Sequence, residues 1–162
     1  MAKKEGGIAG KTFADYWKVI QLPVIVLIGW AVLQTAGAVA SPMLYGALGT
    51  IGMLIGLLAF LYIGWTGFKT HKFDLAQSAV AGAIAAAISG IVSFILSIIV
   101  FAAIGSTLVG AAGLMGYGAP AALTGGILMT AFVIGGIVSL IVGAIVGAIL
   151  AAIGAIAAQN MK

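Results

Sequence analysis

Apolar positions dominate the chain in four long runs, and polar positions fall between them in short clusters. An α-helix crosses the hydrocarbon core of a bilayer in roughly 20 apolar residues. On that ruler the runs predict spans over residues 22–40, 46–67, 79–104 and 121–158. The connections read as Ser41-Pro42-Met43-Leu44-Tyr45, a polar island at 69–74, and the segment from Gly105 to Pro120. Pro42 and Pro120 stand ahead of the second and fourth spans. Proline is tolerated there, because the first N–H groups of a helix have no intrahelical partner.

The expected fold is therefore all-α, a four-helix transmembrane bundle. One membrane domain covers 22–158, with tails at 1–21 and 159–162. The fourth run exceeds one perpendicular crossing, so it must tilt, extend beyond the membrane or break, with Gly125-Gly126 and Gly135-Gly136 as the places for a break. The segment from Gly105 to Pro120 is apolar enough to re-enter the bilayer, and a fifth span there is the alternative topology.

Composition fixes the solvent. Of 162 residues, 64% are hydrophobic and 6% charged, with a mean hydropathy of +1.31. A soluble domain carries about 25% charged residues, so this chain lacks the polar groups to cover a water-exposed surface. An integral membrane protein is expected. Without cysteine it has neither a disulfide framework nor a thiolate metal site.

Charge then orients the spans. Lys3, Lys4, Glu5, Lys11, Asp15 and Lys18 precede the first span; Lys69, His71, Lys72 and Asp74 form the island; Lys162 is last. Lysine beside a span favours the cytoplasmic side and its anionic lipids. With four spans, both termini and the island face the cytoplasm, and the plasma membrane of a prokaryote is the default location. Tyr16, Trp17, Trp65, Phe68 and Phe73 accompany the lysines, while Tyr45 and Tyr117 stand at the other side. Lys11, Tyr16, Trp17, Lys18, Trp65, Lys69 and Lys72 are the expected interface anchors. Arginine is absent and no basic stripe exists, which argues against a nucleic-acid partner. Ala38-Val39-Ala40 fits a leader-peptide cleavage pattern, but the long mixed-charge lead-in favours an uncleaved first helix.

Two N-terminal features need separating. Gly10-Lys11-Thr12 resembles the end of a phosphate-binding G-x-x-x-x-G-K-[ST] loop. That loop needs a glycine where Glu5 stands, and it follows a buried strand. The better reading is a flexible tail ending in a capping box, Thr12-Phe13-Ala14-Asp15, which starts a helix at Phe13. Phe13, Tyr16, Trp17 and Ile20 give that helix an apolar side, as in a short interfacial segment. Leu22-Pro23 marks the expected bend into the first span.

Glycine carries the remaining pattern. Gly125, Gly136, Gly143, Gly147 and Gly154 fall within about 20° of one line on a helix, with Ala151 extending the row. Gly49, Gly52 and Gly56, with Gly67, form a related stripe in the second span. Ser89, Ser93 and Ser97 repeat at spacing four in the third, beside Gly82, Ala85 and Ala86. Small faces let helices approach closely, which matters in lipid because packing and interhelical hydrogen bonds drive association there. The 11-residue spacing suits a right-handed crossing. Gln34 and Thr35 are the polar pair of the first span, expected to bond a neighbouring helix.

Length, span number and glycine content resemble the duplicated proteolipid subunit of a rotary ATPase, but no span carries the carboxylate such a subunit needs. The same absence argues against ion-coupled transport. His71 has no second histidine or carboxylate cluster to make a metal or catalytic site. The reading is a non-enzyme without cofactor or metal. It is a structural or accessory subunit that uses its small-residue faces within a homo-oligomer or a larger membrane complex. The alternative is a passive channel, holin-like pore or small-solute transporter.

Overall fold

The computed structural model describes residues 7–114 and 125–161. Four helices follow in chain order: α1 (Phe13–Ala40), α2 (Pro42–His71), α3 (Leu75–Leu114) and α4 (Gly125–Asn160). No strand occurs among the described residues. Each helix contains a stretch long and apolar enough to cross a membrane: Phe13–Ala40, Gly46–His71, Leu75–Val100 and Val133–Asn160.

Local chemistry sets the helix ends. Thr12 caps α1 reciprocally: its hydroxyl accepts from the Asp15 N–H, and its own N–H donates to Asp15 Oδ2 at 3.1 Å. Ser41 ends α1 by donating its N–H to the Gly37 carbonyl at 2.9 Å, and the same residue begins α2 ahead of Pro42. The chain thus reverses across a single non-helical residue. Lys72 closes α2 in the left-handed region (φ 55°, ψ 38°), and the Phe73 N–H donates back to the Gly67 carbonyl at 3.0 Å. A second reciprocal cap follows, in which Asp74 N–H donates to Gln77 Oε1 at 3.1 Å and Gln77 N–H donates to Asp74 Oδ1 at 2.7 Å. It starts α3.

Three expectations change. The short N-terminal helix is not separate, because α1 runs unbroken through Leu22-Pro23. Pro23 deprives the Val19 carbonyl of its donor, but it is itself buried with Val19, Ile20 and Val24, and surrounding packing holds the helix together. The segment after Ile104 does not begin a loop; residues 105–114 continue α3. Residues 115–120, where re-entry was expected, lie outside the described residues. Finally, α4 passes through Gly135-Gly136 without a break. In an apolar medium the backbone has no partner better than its own helix, and this outweighs the weak helix propensity of glycine.

The helices form a ring in the order α1, α2, α4, α3. The α3–α4 and α2–α4 pairs pack most extensively, α2 touches α3 across the ring, and α1 does not reach α4. Along the bundle, burial is uneven. The core comprises Tyr16, Val19, Ile20, Val24, Ile63, Phe73, Ala81, Ala85 and Ala151, all toward the end that carries the lysines. Among the described residues, Gly37 is the one buried position between Ile25 and Tyr62. From Gly90 to Val100 and from Val133 to Val146 none is buried. Among the described residues, the closed core sits at the lysine end and burial falls off beyond it.

The cap at Thr12 generates a test. Thr12→Ala leaves the first N–H groups of α1 without their acceptor and should cost about 1 kcal/mol. Thr12→Ser should keep most of that. Reversible unfolding in mixed detergent micelles distinguishes the two, and equal stabilities for both variants would remove the cap from the account.

Candidate functional site

The closed end is built by backbones in contact. A methyl group placed at Gly64 of α2 would collide with the Ala151 carbonyl oxygen and lie 2.8 Å from the Ala155 nitrogen. One at Gly154 would collide with the Leu61 carbonyl oxygen. On the α3 side, Gly82 and Gly147 face each other reciprocally, each presenting its Cα to the other's carbonyl oxygen. A Cβ at Gly147 would stand 2.8 Å from both Ala86 Cβ and Gly82 O. Backbones this close permit Cα–H···O contacts, which contribute about 0.5–1 kcal/mol each, and the shape match adds dispersion contacts. Gly64, Gly82, Gly147, Ala151 and Gly154 therefore join α2, α3 and α4 at one junction.

This geometry divides the glycine row of α4. Gly147, Ala151 and Gly154 face the other helices of the same chain, whereas nothing lies within 4 Å of a Cβ at Gly143. Gly136 receives the Phe94 ring. Gly125 is the first residue of α4. On α2, Gly49 faces the Gln34 amide and Gly52 faces the Trp30 indole, while Gly56 is open. Gly64, which lies off the stripe formed by Gly49, Gly52 and Gly56, makes the closest approach to α4.

The polar residues of the spans divide similarly. Ser89 is buried and donates to the Ala85 carbonyl at 2.8 Å, with a longer contact to Ala86 O at 3.3 Å. Ser97 donates to Ser93 O at 2.8 Å. Thr35 donates to Ala31 O at 2.8 Å. These hydroxyls bond within their own helices, a usual fate of Ser and Thr in apolar helices. The interhelical bond near Gln34 and Thr35 comes instead from Trp30, whose Nε1–H donates to Leu48 O at 3.2 Å. An indole N–H away from water needs such an acceptor.

Where α3 and α4 separate, a cleft of about 460 Å³ opens between them. Ser93, Ser97 and Ser139 line it together with Gly90, Gly135, Gly136, Phe94 and Leu140. It has the size of a small-molecule site, which runs to roughly 300–1,000 Å³. Its polar groups are hydroxyls, with no ionisable side chain among them.

At the lysine end the anchor residues do different things. Tyr16 is fully buried, sets its ring edge-on against Phe73 at 5.4 Å, and donates its hydroxyl to the Ile8 carbonyl at 2.8 Å. Trp17 is exposed and stacks on Phe13. Lys18 lies 4.0 Å from Asp15. Lys69 donates to the Met161 carbonyl and stands over the Trp65 ring at 5.8 Å. Lys11 stands over the Phe73 ring at 5.4 Å, and Lys72 is exposed. Among the described residues, no group of three His, Asp or Glu side chains comes together as metal ligands. No family model, curated protein or solved structure matches the chain.

The junction makes a graded prediction. Gly64→Ala and Gly82→Ala each force two backbones apart and should cost about 1–3 kcal/mol. Gly29→Ala on α1, where a Cβ meets nothing within 4 Å, should be neutral or stabilising by up to about 1 kcal/mol. Unfolding free energies in micelles test the series, and similar costs at all three glycines would refute the junction.

Proposed function

We propose that this chain is a small non-enzymatic membrane subunit, oriented with both termini and the lysine island in the cytoplasm, that assembles with itself or with a larger complex. The single observation carrying this reading is that Gly56 on α2 and Gly143 on α4, both members of the glycine stripes, have nothing within 4 Å of a Cβ position. Phe60 on α2 meets Gly147 on α4, with ring carbon Cε1 3.2 Å from the Cβ position. Gly56 and Gly143 each stand four residues, about one helical turn, farther from the lysine end. A glycine facing lipid contributes no side-chain contact and weakens its helix, whereas one facing another helix permits close approach. The sparse burial of the described residues between Ile25 and Tyr62 and from Val133 to Val146 supports the same reading, since a partner helix would supply further contacts.

Gly143→Leu and Gly56→Leu separate assembly from folding, because neither side chain meets its own chain at Cβ. The native mass in a lipid nanodisc should fall from an oligomer, or from a complex with a copurifying subunit, toward the monomer in both variants. Their helical content should stay that of the parent. A parent that is already a clean monomer, or variants that keep the full assembly, would defeat the reading.

The cleft between α3 and α4 favours a second reading, a passive pathway for small neutral solutes past Ser93, Ser97 and Ser139. Its hydroxyls offer weak, exchangeable partners without the desolvation cost of a charge. Liposomes holding the protein should then pass glycerol or water faster than empty ones. Ser93→Leu, which narrows the cleft, should remove the excess. Equal flux with and without protein rejects the pathway.

A further inference from the structure

The N-terminal lead-in is folded onto the bundle. Ile8, Ala9, Gly10 and Lys11 form a tight turn in which the Lys11 N–H donates to Ile8 O at 3.1 Å, with φ of 51° at Ala9 and 80° at Gly10. Two successive positive φ values define a type I′ turn, and glycine at the second position relieves its strain. Three contacts from the bundle hold it. Tyr16 donates its hydroxyl to Ile8 O at 2.8 Å, Gln77 donates its amide to Ala9 O at 3.1 Å, and Phe73 supplies the ring beneath Lys11. The turn therefore fixes Lys11 over Phe73, the residue that follows Lys72 in the chain. His71 borders the same ring at 6.1 Å.

The neighbouring carboxylates are already engaged. Asp15 accepts from the Thr12 N–H and hydroxyl, and Asp74 accepts from the Gln77 N–H. The one ion pair among the described residues is the 4.0 Å approach of Lys18 to Asp15. The Lys72 side chain makes no hydrogen bond or ion pair among the described residues. In the sequence, all seven lysines and all three acidic residues lie among the first 18 residues, in the island or at residue 162, leaving a formal net charge of +4.

We propose that the lysine end is a docking surface for anionic phospholipid headgroups, centred on Lys11 and Lys72 around Phe73. A phosphodiester carries the complementary charge at the depth where the ends of membrane-spanning helices meet the headgroup layer. Each surface lysine gains on anionic lipid, and a cation held over a ring by a fixed turn loses little freedom on binding. The exposed Phe13–Trp17 stack on the outer side of α1 sets this end at headgroup level. The inference depends on the spans and their orientation, not on assembly, so it stands or falls separately from the oligomer.

The full chain in nanodiscs of phosphatidylcholine mixed with phosphatidylglycerol provides the test, with retained lipids identified by native mass spectrometry. Phosphatidylglycerol should be enriched over its bulk share. Lys11→Gln with Lys72→Gln should reduce that enrichment by roughly thirtyfold, at about a fivefold loss for each lysine, while Lys11→Arg with Lys72→Arg retains it. Helical content and melting in phosphatidylcholine alone check the fold of each variant. If the double variant does not fold, Lys72→Gln alone carries the test with its fivefold loss. Retained lipid that mirrors the bulk mixture overturns the proposal, and enrichment that survives both glutamines overturns the site.

Discussion

The absence of a Cβ at a few positions is the constraint on which this bundle rests. Between water-soluble helices, burial of large apolar side chains holds a core together. In hydrocarbon that driving force is missing, because lipid tails solvate leucine as well as another helix does. What remains is dispersion at short range and weak contacts between backbones. Gly64 against Ala151, Gly82 against Gly147, and Gly154 against Leu61 bring α2, α3 and α4 close enough for both. Alanines at 81, 85, 86, 151 and 155 fill the space around those crossings. Tyr16, Ile20 and Ile63 are the large residues buried beside them.

From that junction the uneven packing of the bundle follows. Past it, larger side chains enter the interfaces: Phe94 against Gly136, Leu140 against Gly90, and Trp30 against Gly52. These act as spacers. The α3–α4 cleft lies at the first of them, and the open glycines Gly56 and Gly143 lie four residues from the contact of Phe60 with Gly147. The closed end also carries the charges, the caps of α1 and α3, and the folded N-terminal turn. The buried core sits at one end, and exposed apolar side chains of the described spans extend beyond it.

Much of this was legible in the sequence. Long apolar runs fix four spans whatever their packing, and Thr12-x-x-Asp15 and Ser41-Pro42 announce helix ends through hydrogen-bonding chemistry alone. Other features were obscured by rules learned from water. Leu22-Pro23 reads as a bend, and Gly105 with its neighbours reads as a loop, yet both lie within helices because an apolar environment penalises a free backbone group more than it penalises poor propensity. Periodicity found the α4 row but not which of its members turn inward. Gly64 was missed because it sits about 80° around α2 from Gly56, on a second face that the stripe does not mark. Tyr16 looked like an interface anchor; its burial depends on the Ile8 carbonyl, supplied by a turn that the sequence presented as a flexible tail. Trp30 could have been found, since its indole N–H requires an acceptor.

The most direct measurement uses the absence of native cysteine. Cysteines introduced at Lys69 and Met161, joined in the structure by a hydrogen bond from the lysine ammonium to the Met161 carbonyl, can be spin-labelled and their separation measured by pulsed electron resonance in nanodiscs. The junction lies within one chain, so the account predicts a short, narrow distance that persists when labelled protein is diluted with excess unlabelled protein before reconstitution. A short distance that disappears on dilution would place these contacts between copies, and would contradict the single-chain bundle.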